Sequence, residues 1–325
     1  MTRCLIRLFP AVLLCLLPAA AAAESPPQFV RTWGTTGTGT GEFVSPQGVA
    51  VDAQGNVYVT EWENDRIQKF DADGNYLTSW GSTGDLDGEF LCPSDLDFDT
   101  SGNIYVVDTA NDRVQKFDAG GTFIRKWGGP GGGTGVFQAP EGIAVDGNNN
   151  VYVADTFNNR VQKFDSDGNF VDAWGSLGAG VGQFDKPIGI DVDTEGNVYV
   201  ADWLNDRVQV FDGSGTHLRT VGSYGAGEGF FDGPQGVTVD ESGNIYVVDT
   251  SNHRIQKFTG AGVFLVAWGT QGNQDGEFQD PYALTVNGGL IYVSDTGNNR
   301  VQEFQAVVPV LPATWGRLKT LYTLP

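Results

Sequence analysis

The chain has 325 residues, among them 46 Gly, 20 Phe and 8 Trp but a single Met, and 40 Asp and Glu stand against 19 Lys and Arg. The resulting net charge of -21 repels the phosphates that a nucleic-acid binder has to neutralise, and anionic membrane surfaces with them. A single core seldom grows past about 250–300 residues, so a glycine- and aromatic-rich chain of this length points to a modular β-architecture.

In chain order, Arg3 and Arg7 precede an apolar run from Leu8 to Leu17, and Ala19 to Ala23 follow before Glu24. This is the pattern of a secretory signal over residues 1–23, too short and too interrupted by Pro10 and Pro18 to span a bilayer. The expected mature chain is exported, to the periplasm, the cell surface or the medium, without a transmembrane segment. Cys4 and Cys15 leave with the signal, so Cys92 has no partner for an internal disulfide and the core alone must hold the fold.

Beyond Gln28–Trp33 (QFVRTW) the sequence becomes periodic. Arg66, Arg113, Arg160, Arg207, Arg254 and Arg300 fall 47, 47, 47, 47 and 46 residues apart, the mark of a repeat architecture. Each copy offers a first segment from Pro46, Pro93, Pro140, Pro187, Pro234 or Pro281 and a second of the type NVYVAD. A third begins at the repeated Arg, and a fourth is of the type FIRKW. All are short, rich in Val, Ile, Tyr and Phe and bounded by Gly, Asn or Asp, which makes them strands a, b, c and d joined by hairpins. The d–a connections are long and glycine-rich. Four-stranded antiparallel units around an axis describe an all-β, six-bladed β-propeller over residues 28–304. Gln28–Trp33 is a strand d with nothing before it and the last copy lacks a d, so the N-terminal strand is predicted to close the ring as the outer strand of the last blade.

The segments NHRIQKF at Asn252–Phe258 and VYVAD…N.RVQ.F resemble NHL repeats, across nearly all of residues 29–304. The resemblance implies a six-bladed propeller. Trp-Asp dipeptides and paired kelch glycines are missing, which weighs against those propellers.

Residues present in every copy are read as scaffold. The acidic residue ending strand b and the Arg opening strand c bracket a four-residue turn, giving ion pairs Asp108–Arg113, Asp155–Arg160, Asp202–Arg207, Asp249–Arg254 and Asp295–Arg300, with Glu61 and Arg66 in the first copy. The d-strand tryptophans Trp33, Trp80, Trp127, Trp174 and Trp268 are read as packing between blades. The DADGN and DSDGN turns at Asp71 and Asp165 lack the alternating ligands and distal Glu of a calcium loop.

Departures from the repeat are the candidate sites. Antiparallel alternation puts the b–c turns and the d–a loops on one face, where Trp62, Glu63, Phe157, Trp203 and Leu204 replace small or polar residues and form the expected binding surface for a protein, peptide or glycan. A Trp tucked under its neighbouring loop is the competing reading. On strand a, Asp95, Asp97 and Asp191 stand where most copies have Gly, Ala or Thr, and with Asp99 and Asp193 they offer hard oxygen ligands for Ca2+ or Mg2+, or else a solvated acidic wall. His217 and His253 are the only histidines, in different hairpins, with no HExxH, GxSxG or Cys-His arrangement. The expectation is a non-enzymatic binding scaffold without a cofactor. The alternative is a metal-dependent hydrolase, since six-bladed lactonases hold a channel metal with Glu, Asn and Asp, or a lyase, although amidating lyases of similar fold rely on histidines this chain lacks. Residues 305–325 carry Pro309 and Pro312, a near-sortase LPATW and a Trp315, Leu318, Tyr322 face with Arg317 and Lys319, read as a docking or sorting tail or as packing on the ring.

Overall fold

The computed structural model describes residues 24–307; the signal expected over 1–23 and the tail from 308 onward lie outside the described residues. The described chain forms six four-stranded antiparallel sheets. The first blade runs a Pro46–Val51, b Val57–Glu61, c Arg66–Phe70 and d Tyr76–Trp80. Blades 2 to 5 repeat it over residues 93–128, 142–174, 187–221 and 234–268. The inner a strands touch in ring order, the sixth returning to the first. Among the described residues no helix is long and apolar enough to cross a membrane.

The sixth blade is built from both ends of the described chain. Leu284–Asn287, Leu290–Asp295 and Arg300–Gln305 are its strands a to c, and Gln28–Trp33 pairs antiparallel with Arg300–Gln305, from Gln28 opposite Gln305 to Trp33 opposite Val301. The predicted closure by an N-terminal outer strand is thus the observed one.

The core lies between blades, because each sheet buries both faces against its neighbours. Each buried cluster takes residues from two adjacent blades, as where Tyr58 and Ile67 of blade 1 meet Leu96, Val106 and Phe117 of blade 2. The d-strand tryptophans serve this packing: Trp80 sits between Tyr58 of its own blade and Phe117 of the next, and Trp127 and Trp174 repeat the arrangement. A glycine at positive φ in the following c–d turn makes room for the indole; a Cβ on Gly168 would lie 2.6 Å from Trp127.

One expectation needs correction. Strand a starts at Gly142 and Leu284 in blades 3 and 6 rather than at Pro140 and Pro281, although the Glu141 and Tyr282 amides still donate to the Ala154 and Ser294 carbonyls of strand b. The b–c connections are the expected four-residue hairpin turns, in blades 2 to 6 a single 3-10 turn such as Thr109–Asn111 closed by a left-handed residue such as Asp112 at φ 51°.

Candidate functional site

The loop face is assembled by two polar devices that recur in each blade. In the first, a buried carboxylate ends strand b. Asp202 accepts hydrogen bonds from Arg207 Nε at 2.7 Å, Asn205 Nδ2, Gln209 Nε2 and the Asp185 amide at 2.8 Å. Arg207 in turn donates to the carbonyls of Ala179, Gly180 and Gln183 in the d–a loop. The ion pairs expected from the repeat are present in all six copies, at 2.5–2.7 Å, and pin each d–a loop onto its b–c turn.

The second device ties blade to blade. The residue before each Pro, at Ser45, Cys92, Ala139, Lys186, Gly233 and Asp280, is left-handed. Its amide donates to the last turn residue of the preceding blade, at Asn299, Asp65, Asp112, Asn159, Asp206 and His253 respectively. His253 therefore serves as an acceptor through Nδ1, 3.2 Å from the Asp280 amide. His217 lies apart on strand d, Nε2 3.0 Å from Thr220 Oγ1.

On this scaffold the departures fall into two groups. Trp62 and Trp203 occupy the position that is Thr in the other copies, where Thr156 and Thr296 donate to the carbonyls of Pro187 and Pro46 of the next blade. Both tryptophans are half-buried. Gly233 shows why for Trp203: a Cβ there would lie 3.0 Å from its Nε1. The five counterparts of Gly233 are non-glycine residues at φ 41–55°, so it is the nearby indole, not the backbone angle, that a side chain there would crowd. Phe157 is exposed, and Lys186 Nζ lies 4.4 Å from its ring centroid and 5.8 Å from that of Trp203, so one ammonium joins the two rings across blades 3 and 4. Leu204, also exposed, adjoins them. Trp62 is not brought to this cluster; blade 1 stands opposite blade 4 in the ring. Glu63 accepts a bond from Ser45 Oγ at 3.1 Å.

The central channel holds the second group, with a cavity of ≈ 70 Å³ lined by Asp95, Asp97, Glu141, Asp191 and Tyr282 among others. That is room for a few waters. Each aspartate bridges to the inner edge of the next blade: Asp95 accepts the Ile143 amide at 3.1 Å, Asp97 the Val145 amide at 2.7 Å, and Asp191 the Val239 amide at 2.8 Å and the Thr238 hydroxyl at 2.7 Å. Their other oxygens accept the amides of Leu96, Phe98 and Val192. These carboxylates thus satisfy edge-strand donors that face no further strand. Asp99 and Asp193 do not join them; each is spent in its own a–b turn, Asp99 on the Ser101 and Asn103 amides and the Tyr105 hydroxyl. Among the described residues no group of three or more His, Cys, Asp or Glu is placed to hold a metal ion.

Above the aspartates the Tyr282 hydroxyl donates to Glu141 Oε2 at 2.7 Å. These residues belong to opposite blades, 3 and 6, so the bond crosses the ring. Burial lifts the Glu141 carboxyl above its ordinary range, against the pull of Tyr282 and Lys186.

Burial, with the neighbouring carboxylates adding to it, pushes Asp95 up to about 7 and Asp97 up to about 8. Between those values and the unfolded pKa near 4, the folded state binds protons that the unfolded chain has released. This contribution to stability is full below about pH 4 and lost as the pH rises through about 8. The Tm is expected to fall between pH 5 and 8.5, and Asp97→Ala, which installs the residue that blades 1 and 3 carry as Ala50 and Ala144, flattens that slope. A wild-type Tm that rises over the interval overturns the assignment.

The NHL repeat model matches residues 43–70, 90–117, 137–164, 184–211, 231–258 and 278–304, one match per blade. The chain belongs to the NHL-repeat family. Each match spans the end of a d–a loop and strands a to c, the part of the NHL blade braced by the Asp–Arg device. A 57-residue stretch, 18% of this chain, is 42% identical to Protein lin-41 of Caenorhabditis elegans and covers 5% of that protein. Among solved structures, a protein of unknown function from Bacteroides thetaiotaomicron aligns with TM-score 0.66 and 17% identity over 88% of this chain and 84% of its own. Virginiamycin B lyase from Staphylococcus aureus aligns with TM-score 0.58 and 13% identity over 81% and 96%. At such identities these likenesses describe the NHL chain's fold alone.

Proposed function

We propose that this NHL propeller is an exported binding scaffold that grips a protein, peptide or glycan through the loop face carrying Trp62, Phe157 and Trp203. The observation behind the reading is the Phe157–Lys186–Trp203 cluster, where large side chains stand in positions that the blade itself fills with small or polar residues. NHL propellers are protein-interaction scaffolds. Peptide and glycan arrays probed with wild type and with the Trp62→Thr, Trp203→Thr double variant test this. Thr is the repeat's own residue, so the ring still folds while binding falls; a variant that binds like wild type removes the reading.

A second reading is a metal-dependent hydrolase or lyase working through the channel carboxylates Asp95, Asp97 and Asp191. A cation at about 100 times its Kd stabilises the fold by roughly 2.7 kcal/mol. A rise in Tm on adding calcium or magnesium that Asp97→Ala abolishes would put this reading first.

A further inference from the structure

The apolar surface extends beyond the cluster just described. Leu177 and Val181 in the d–a loop before blade 4, and Tyr224 and Phe230 in the loop before blade 5, are exposed, three of them by 65–72%. The remaining copies place Thr36, Thr83, Pro130 and Gln271 where Leu177 and Tyr224 stand, and Thr40, Asp87, Thr134 and Asp275 where Val181 stands. Phe230 is the most telling. Four of its five counterparts, Glu42, Glu89, Gln183 and Glu277, brace their loop by accepting an amide of the same loop, and the fifth is the half-buried Val136. Phe230 gives up that bond to present a ring that is 46% exposed. These loops abut the cluster directly: the Leu204 amide donates to the Asp185 carbonyl and the Gly233 amide to Asp206. With Phe157 and Leu204 they form one apolar arc over blades 3 to 5.

The rim of this arc is anionic. Asp185, Asp206, Glu228 and Asp232 lie within or beside the same loops, and among the described residues none of them makes an ion pair with a basic side chain. The nearby cations are spent, Arg207 on Asp202 and loop carbonyls and Lys186 on the Phe157 and Trp203 rings. With Lys186 held against both rings, they do not offer the open aromatic platform that sugar rings stack on, and exposed Leu and Val match apolar side chains. Resting on the scaffold reading above, we infer that the occupant of the arc is a cationic amphipathic segment of a partner protein, its apolar side on Leu177, Val181, Tyr224 and Phe230 and its Lys or Arg side chains on the acidic rim.

Calorimetric titration of the propeller with a synthetic amphipathic Leu–Lys helix, its Leu–Glu analogue and a cello-oligosaccharide tests the inference. A triple variant, Leu177→Thr, Tyr224→Gln, Phe230→Gln, takes its residues from other copies, keeps the net charge and leaves the melt in place. The Leu–Lys helix binds wild type, the triple variant weakens it by about tenfold or more, and the Leu–Glu helix does not bind. Equal binding of the Leu–Lys helix to the triple variant means general attraction to an acidic protein and overturns the inference. Binding of the oligosaccharide but not the helix also overturns it, while leaving the scaffold reading intact if the Trp62→Thr, Trp203→Thr variant loses that sugar. Failure of every array and titration ligand to bind wild type overturns both.

Discussion

Deleting residues 28–33 lowers the Tm of the propeller by about 10–20 °C. The strand supplies Phe29, edge-on to Phe304, and Trp33, packed against Tyr292 of its own blade and Phe70 of the next. Losing a well-packed Phe or Trp costs about 3–5 kcal/mol each, and each kcal/mol shifts the Tm of a domain of this size by about 2 °C. The deletion also leaves Arg300–Gln305 as an open edge in the only blade made from two distant parts of the described chain. Differential scanning calorimetry of the deletion decides the matter, and an unchanged melt overturns the account of closure.

Asp202→Ala has the second largest effect, a fall of about 6–10 °C. The carboxylate is fully buried and collects four different donors. Removing one partner of a buried ion pair costs about 3–5 kcal/mol, because the remaining charge stays behind without compensation. The exposed pair Arg125–Asp167, 2.8 Å long with side chains 41% and 63% accessible, sets the contrast: Asp167→Ala costs at most about 1 kcal/mol. Equal effects of the two substitutions in a denaturant titration would mean that burial does not set the strength of the Asp202 pair.

The fold was legible because the repeat states it six times over. Strand order, closure, the Asp–Arg pairs and the interblade tryptophans follow from local pattern and from counting, and none depends on one residue. The candidate site was legible only in part. Trp62, Phe157 and Trp203 stood out as departures in the b–c turns, but Leu177, Val181, Tyr224 and Phe230 are departures of the same kind in the d–a loops. A column-by-column comparison of those loops finds them; their variable, glycine-rich sequence hides them from a reading by motif. Asp95, Asp97 and Asp191 were visible as acids on an inner strand, yet their tie to the next blade's edge amides was not, because it links residues a full repeat apart. The Glu141–Tyr282 bond is further from reach, since each residue is unremarkable in its own copy and the bond joins opposite sides of the ring. The same holds for Lys186, whose role depends on aromatic residues in two different blades.

The seam in the sixth blade puts the sequence unit and the structural unit out of phase by one strand. A genetic duplication of any internal 47-residue unit would therefore insert a complete new blade while leaving both chain ends able to meet in a shared sheet. Loss of one unit would be equally harmless to the seam. The number of blades is thus not fixed by how the ends join; the packing between neighbouring sheets, through the layer of Tyr side chains with Trp or, after blade 4, Val221, has to accommodate it. A change of ring size in such a gene therefore asks for substitutions in that interblade layer, and not for a new way of joining the ends.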